Sequence, residues 1–109
     1  MPVRAHRRRY LGFTVEGLNN LDDKIIGDTL FDAVSKYQGV KGLSMANLKL
    51  IEFNPENNFG IVRCSNTYIR EVQASIALID NIMGKLACIH VDRVSGTIRA
   101  LRDKTKSKP

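Results

Sequence analysis

Residues 48–64 read LKLIEFNPENNFGIVRC, and the parsing of this stretch decides the fold. Leu48–Phe53 and Phe59–Cys64 are two short apolar runs rich in strand-forming residues. Between them lies Asn54-Pro55-Glu56-Asn57-Asn58. Proline presets its own φ, and asparagine tolerates left-handed backbone and bonds its own main chain, so this segment is a turn. Two strand-like runs joined by so short a turn form an antiparallel hairpin.

Working outward, each side of the hairpin carries one helix and then one strand. Upstream, Asp22 and Asp23 suit a helix start, and Ile26, Leu30, Ala33, Val34 and Tyr37 follow at helical spacing. Gly39 ends that helix, and 43–46 reads as irregular. Further back, 9–15 alternates: Leu11, Phe13 and Val15 share one side, Tyr10, Gly12 and Thr14 the other. Downstream, Ser65, Asn66 and Thr67 each suit an N-cap. Ile69, Val72, Ile76, Ile79 and Met83 then predict an amphipathic helix ended by Gly84. A fourth strand is predicted over 86–91, a break at Val94-Ser95-Gly96-Thr97, and a short helix from Ile98 into a frayed tail.

The resulting order, βαββαβ, is the plan of an α+β, ferredoxin-like or RRM-like sandwich. It predicts a four-stranded antiparallel sheet with the first strand between the third and fourth and right-handed crossovers. Three segments follow: a basic N-terminal arm over 1–8, the ferredoxin-like domain over 9–98, and a basic C-terminal tail over 99–109. Cys64 and Cys88 then stand two strands apart, roughly 10 Å at about 4.8 Å per strand. A disulfide reaches about 7 Å between Cα atoms, so both thiols are expected to be free. Leu11, Phe13, Val62, Ile89 and Val91 are assigned to the helix-covered face. Tyr10, Leu48, Leu50, Ile61, Arg63 and Leu86 fall on the other, which is too apolar to stand bare and needs a cover: the chain's own ends, a protein or RNA.

At 109 residues, 43% of them hydrophobic, the chain has room for one core. Its net charge of +6 is concentrated at the ends. Arg4, Arg7, Arg8 and Arg9 open the chain with no acid among the first ten residues. Arg99, Arg102, Lys104, Lys106 and Lys108 close it against Asp103 alone, while the middle carries slightly more acid than base. A near-neutral body with two basic arms suits a polyanion, RNA before DNA or a small substrate. The apolar runs are too short for a membrane span, and the arginines precede no secretory signal. Two isolated cysteines suit a reduced, cytoplasmic setting.

Catalytic chemistry finds no centre in this sequence. His6 and His90 are far apart, and no Cys or His pair has the usual metal-ligand spacing. Asp28 and Asp32 share a helix face, the one arrangement that a metal-dependent nuclease would use, but Asp32 also suits a surface pair with Lys36. No phosphate-cradling glycine loop is present. Base stacking of the RRM kind is poorly supplied, because the run 59–64 has one aromatic. Phosphate contacts through guanidinium groups are therefore expected to dominate.

One segment is more specific. Asp92-Arg93-Val94-Ser95-Gly96-Thr97-Ile98-Arg99-Ala100-Leu101, at the end of the fourth strand, resembles the ribonuclease P protein component 2 family. That family is the archaeal counterpart of a small subunit shared by eukaryotic RNase P and RNase MRP. Arg7-Arg8-Arg9-Tyr10-Leu11-Gly12-Phe13 is similar to its opening basic strand, Gly60-Ile61-Val62-Arg63-Cys64 to its third strand, and the helix over 72–82 to its second helix.

The resemblance implies a non-catalytic protein subunit of RNase P. It would bind and support the catalytic RNA that removes 5′ leaders from precursor tRNA. The implied partners are RNase P RNA, a larger TIM-barrel-like protein subunit, and precursor tRNA as the substrate of the holoenzyme. No cofactor is expected on the protein; Mg2+ belongs to the RNA active site. The residues expected to touch RNA are Arg4, Arg7, Arg8, Arg9, Arg63, Ser95, Gly96, Thr97, Arg99, Arg102 and Lys104. Gly96 is expected to allow a sharp turn and close approach to a phosphate, with Ser95 and Thr97 capping the last helix. A stand-alone RNA-binding domain of another ribonucleoprotein and a dimerisation module are the alternatives.

If about six to eight phosphates are contacted, log K should fall against log salt with a slope of about −4 to −7. Replacing Arg7 and Arg8 together by alanine should make that slope shallower while the melting transition persists. A flat salt dependence excludes RNA binding through the arms.

Overall fold

The computed structural model describes residues 8–99 and 101. Strands β1 (Arg8–Glu16), β2 (Lys49–Asn54), β3 (Phe59–Ser65) and β6 (Cys88–Ser95) form one sheet in the order β2-β3-β1-β6. Every pairing in it is antiparallel. Helices α1 (Asp23–Ala46) and α2 (Ile69–Ala77) supply the second layer. The expected ferredoxin-like arrangement, with β1 between β3 and the last strand, is the one observed.

The core forms between the helices and one side of the sheet. Leu11, Phe13 and Val15 of β1, Val62 and Cys64 of β3, and Ile89 of β6 meet Ile26, Leu30 and Val34 of α1 and Val72 and Ile76 of α2. Phe13 and Phe53 stack with ring centroids 6.2 Å apart. A Cβ on Gly60 would lie 2.5 Å from Cζ of Phe13 and 3.0 Å from the Glu52 carbonyl oxygen, so only glycine lets Phe13 lie flat there.

Asp22 caps α1, its Oδ1 accepting the Ile25 N–H at 2.9 Å. Gly39 breaks the helix where expected, at φ 79° and ψ 171°. The chain then resumes helix through Ala46, so 43–46 is helical and not irregular. Tyr37 is exposed rather than buried, and Lys36 sits over its ring at 5.4 Å from the centroid instead of pairing with Asp32.

Other expectations shift for stated reasons. A bulge between Leu50 and Glu52 reverses the parity of β2. Leu48 and Leu50 therefore join the helix side with Phe53, and not the opposite face. None of Ser65, Asn66 and Thr67 caps α2; a 3-10 turn at Asn66–Tyr68 precedes it, and its N-cap Tyr68 makes no side-chain bond. The second helix also ends at Ala77, well short of Gly84. Met83 (φ 55°) and Gly84 (φ 79°) are both left-handed, as a two-residue hairpin turn of this kind requires. They join β4 (Asn81–Ile82) to β5 (Lys85–Leu86). Ile79 is buried as the helical spacing predicts, but Met83, expected on the same apolar face, is 71% exposed, and Ile82 is buried in its place. Leu86 leaves the main sheet and is 85% exposed.

The second face of the sheet is sealed at its centre by the chain itself. Helical backbone begins at Ile98, and Leu101 is 1% exposed. Its Cδ2 and the ring of Phe59 both lie over Gly12, beside the buried Ile61. Leu101→Ala should therefore cost about 2–3 kcal/mol in chemical denaturation, and Gly60→Ala about 1–3 kcal/mol. A cost below about 0.5 kcal/mol at Leu101 would mean that the tail does not seal this face.

Candidate nucleic-acid interface

Strand alternation sorts the polar residues of the open face into rows. Register places Lys49 opposite Arg63, Arg63 opposite Tyr10, and Tyr10 opposite Ser95. The next row runs Glu52, Ile61, Gly12 and Arg93, its centre occupied by the Leu101 seal. Arg8, two residues before Tyr10, shares this face and is exposed. Lys49, Arg63 and Arg8 thus gather at one end of the face, and Arg93 stands at one edge of the next row with Glu52 at the other. Asp92, which accepts a hydrogen bond from Thr14, and Glu16, which pairs with His90, lie towards the other end.

Arg63 is the distinctive member. It is half-buried on a central strand, and its Nε is shielded from solvent with no hydrogen-bond partner among the described residues. A buried guanidinium N–H without an acceptor is costly. A phosphate oxygen suits a guanidinium through charge-assisted contacts, and the shielded Nε can meet one when the side chain shifts outward.

Arg9 behaves differently. Arg8 and Arg9 project to opposite sides of β1, as alternation predicts, and Arg9 Nε donates to Oδ1 of Asn66 at 2.9 Å. This bond ties the start of β1 to the 3-10 turn before α2. Ser95 ends β6, and its Oγ accepts the Thr97 N–H at 3.2 Å, closing the turn before Ile98. Gly96 does not need to be glycine for that turn: its φ is outside the left-handed region, and a Cβ there would meet nothing within 4 Å. Thr97 and Arg99 are exposed at the start of the final helical turn. Arg4, Arg7, Arg102 and Lys104 lie outside the described residues.

The topology gives the charged ends a common origin. The chain enters the sheet at Arg8 and leaves it at Ser95, on neighbouring strands and at the same end as Arg63. Lys49 and Arg93 escaped the sequence reading. Their parity with Arg63 depends on cross-strand register and on two bulges, which no local pattern reveals. Phe59, the lone aromatic of its strand, packs its ring edge over Gly12 and is only partly exposed.

The pattern of the Rpp14/Pop5 family matches residues 9–106, and the chain belongs to that family. A protein named Ribonuclease P protein component 2 from Pyrococcus furiosus is 32% identical over 107 residues, covering 98% of this chain and 89% of that protein. A protein of the same name from Methanosarcina mazei is 30% identical over 104 residues, 95% of this chain and 88% of that protein. Among solved structures, a chain in the cryo-EM structure of yeast ribonuclease MRP aligns with a TM-score of 0.64. The alignment covers 93% of this chain and 92% of that chain at 10% identity, which establishes a shared fold.

The two cysteines are free and differ sharply in setting. Cys64 is fully buried in the core, and burial pushes its thiol up to about 11. Cys88 is half-buried at the start of β6. A thiol-reactive dye at neutral pH should label one cysteine in the folded protein and two after denaturation; Cys88→Ser should remove the folded-state signal. The raised Cys64 value also has a direct consequence for stability. Above the ordinary value of 9.0 the unfolded thiol ionises while the folded one stays neutral, so stability should fall from about pH 9 to 11. Cys64→Ala should remove that dependence.

Proposed function

We propose that this protein is a non-catalytic protein subunit of ribonuclease P. It binds and supports the catalytic RNA that removes 5′ leaders from precursor tRNA. Two relatives named as component 2 of that ribonucleoprotein, each covering nearly the whole chain, support the reading. The observation that carries it within the structure is the Arg63 Nε, which has no partner among the described residues, set in a basic row at the sheet end from which both basic termini depart.

In this reading the body acts as a rigid plate and the interface divides its labour. Arg63, held by a central strand, presents its donors in a fixed direction and selects a phosphate position. Lys49, Arg8 and Arg93 add diffuse attraction around it. The terminal residues Arg4, Arg7, Arg99, Arg102 and Lys104 extend the grip along the backbone of the RNA. Ser95, Gly96 and Thr97 bring main chain close to a phosphate. Catalysis and its Mg2+ ions belong to the RNA; none of the residues above is assigned a metal. A larger TIM-barrel-like protein subunit is the expected protein partner, precursor tRNA the substrate of the assembly, and the cytoplasm its location. No described helix is long and apolar enough to cross a membrane.

The test is reconstitution of precursor-tRNA cleavage from RNase P RNA and the remaining protein subunits of the same source. Omitting this chain should lower 5′-leader removal at moderate Mg2+, and adding it should restore the rate. Arg63→Ala should weaken RNA affinity by about 10- to 100-fold, the worth of about 1.5–3 kcal/mol for charge-assisted hydrogen bonds. The free protein loses no bond to the Nε of Arg63, so melting of the variant should change only through lost packing of the half-buried stem. Full cleavage without this chain would overturn the reading.

A further inference from the structure

We propose that Glu16, Cys88 and His90 form a zinc-binding site at the β1–β6 end of the open face, with a fourth coordination position left to solvent or a partner. The proposal stands apart from the RNase P reading, because it uses none of the residues placed in the RNA interface.

The three residues converge for reasons of register. Cys88 and His90 are two apart on β6, so they project from the same side of the sheet. Glu16 is the direct cross-strand partner of Cys88. The next residue holds the chain in place. Gly17 has φ 106°, and a Cβ there would lie 2.9 Å from the Leu86 carbonyl oxygen and 3.0 Å from Cα of Ala87. Backbone contact therefore holds the end of β1 against the residues leading into β6.

The distances fit one cation. His90 Nε2 lies 3.2 Å from Glu16 Oε1 and 3.4 Å from Cys88 Sγ, and Cys88 Sγ lies 4.0 Å from Glu16 Oε1. Zinc binds imidazole nitrogen and carboxylate oxygen at about 2.0–2.2 Å and thiolate sulfur at about 2.3 Å, which puts tetrahedral neighbours about 3.3–3.8 Å apart. Two of the three edges lie close to this range as they stand. The third closes with a few tenths of an ångström of movement in the exposed Glu16 carboxylate. Among the described residues, this is the set of His, Cys and acidic side chains grouped closely enough to hold a metal ion; Asp28 and Asp32 are not in it.

Two simpler accounts explain less. An ion pair accounts for His90 and Glu16, and a long hydrogen bond from Cys88 Sγ to Glu16 Oε1 at 4.0 Å for the thiol, but neither accounts for the sulfur lying closer, at 3.4 Å, to His90 Nε2. A Cys-His-Glu catalytic relay needs the two ring nitrogens to serve different partners, one facing the nucleophile and one the carboxylate. Here both contacts fall on Nε2. That atom carries either one proton or one lone pair, so it cannot donate to Glu16 and accept from Cys88 together. A divalent cation at the point of convergence satisfies sulfur, nitrogen and oxygen at once. The soft thiolate beside imidazole favours zinc over magnesium or calcium, which take oxygen donors.

The test uses Co2+ as a spectroscopic stand-in for Zn2+ on the full-length, reduced, metal-free protein. One equivalent should produce a thiolate-to-cobalt charge-transfer band and the strong visible bands of tetrahedral cobalt, both erased by one equivalent of Zn2+. Cys88→Ser should abolish the charge-transfer band. His90→Gln and Glu16→Gln should each weaken affinity at least about tenfold, since even outer-shell losses at metal sites cost 10- to 100-fold. Cys64→Ala and His6→Gln should leave the titration unchanged. If circular dichroism shows that Cys88→Ser fails to fold, the exposed His90→Gln decides alone. Absence of the band, its survival in Cys88→Ser or undiminished in His90→Gln, its loss in Cys64→Ala, or saturation at half an equivalent would each overturn the site.

Discussion

Phe13 lies at the centre of the core only because residue 60 has no side chain. The ring occupies the space that a Cβ on Gly60 would need, and it stacks on Phe53 from the strand beyond. This one close approach runs across three adjacent strands. It sets the register between β1 and β3, and through the bulge after Leu50 it returns Phe53 to the helix side. Once Leu11, Phe13 and Val15 are committed to that side, Tyr10, Gly12 and Thr14 must face the other. The character of the open face is thus a consequence of how the core is packed.

That face divides into three zones along the strands. At one end stand Lys49, Arg63 and Arg8, beside the points where the basic termini depart, while Arg93 and Glu52 stand at opposite edges of the middle row. In the middle, Leu101 and Phe59 lie over Gly12 and shield Ile61, so the apolar centre is dry without a partner. At the far end are Glu16, Cys88 and His90. The separation of positive from negative ends gives the plate a direction. A polyanion drawn to the basic end is turned away from the acidic one.

The pattern of elements was legible because local chemistry and final structure agree there. The Asn-Pro turn, the Asp22 cap, the Gly39 break and the alternation of β1 each act within a few residues. The misreadings share one cause. Ile79 and Met83 have helical spacing, yet left-handed backbone at Met83 and Gly84 turns that segment into a hairpin, which buries Ile82 and leaves Met83 exposed. Leu48 and Leu50 were assigned to the wrong face because a bulge adds a residue that periodicity does not count.

The sequence by itself determined the class of fold, the basic ends and the family, since these rest on short-range periodicity, composition and contiguous motifs. Tertiary structure alone decided which charges share a face, that Arg63 keeps an unpartnered buried nitrogen, and that Leu101 closes the sheet. It alone brought Glu16 across to Cys88 and His90, more than seventy positions away along the chain. The physical reason is that side-chain neighbours in a sheet are set by register between strands. Register is fixed by bulges and close packing that join distant residues, and no window of local sequence contains both partners.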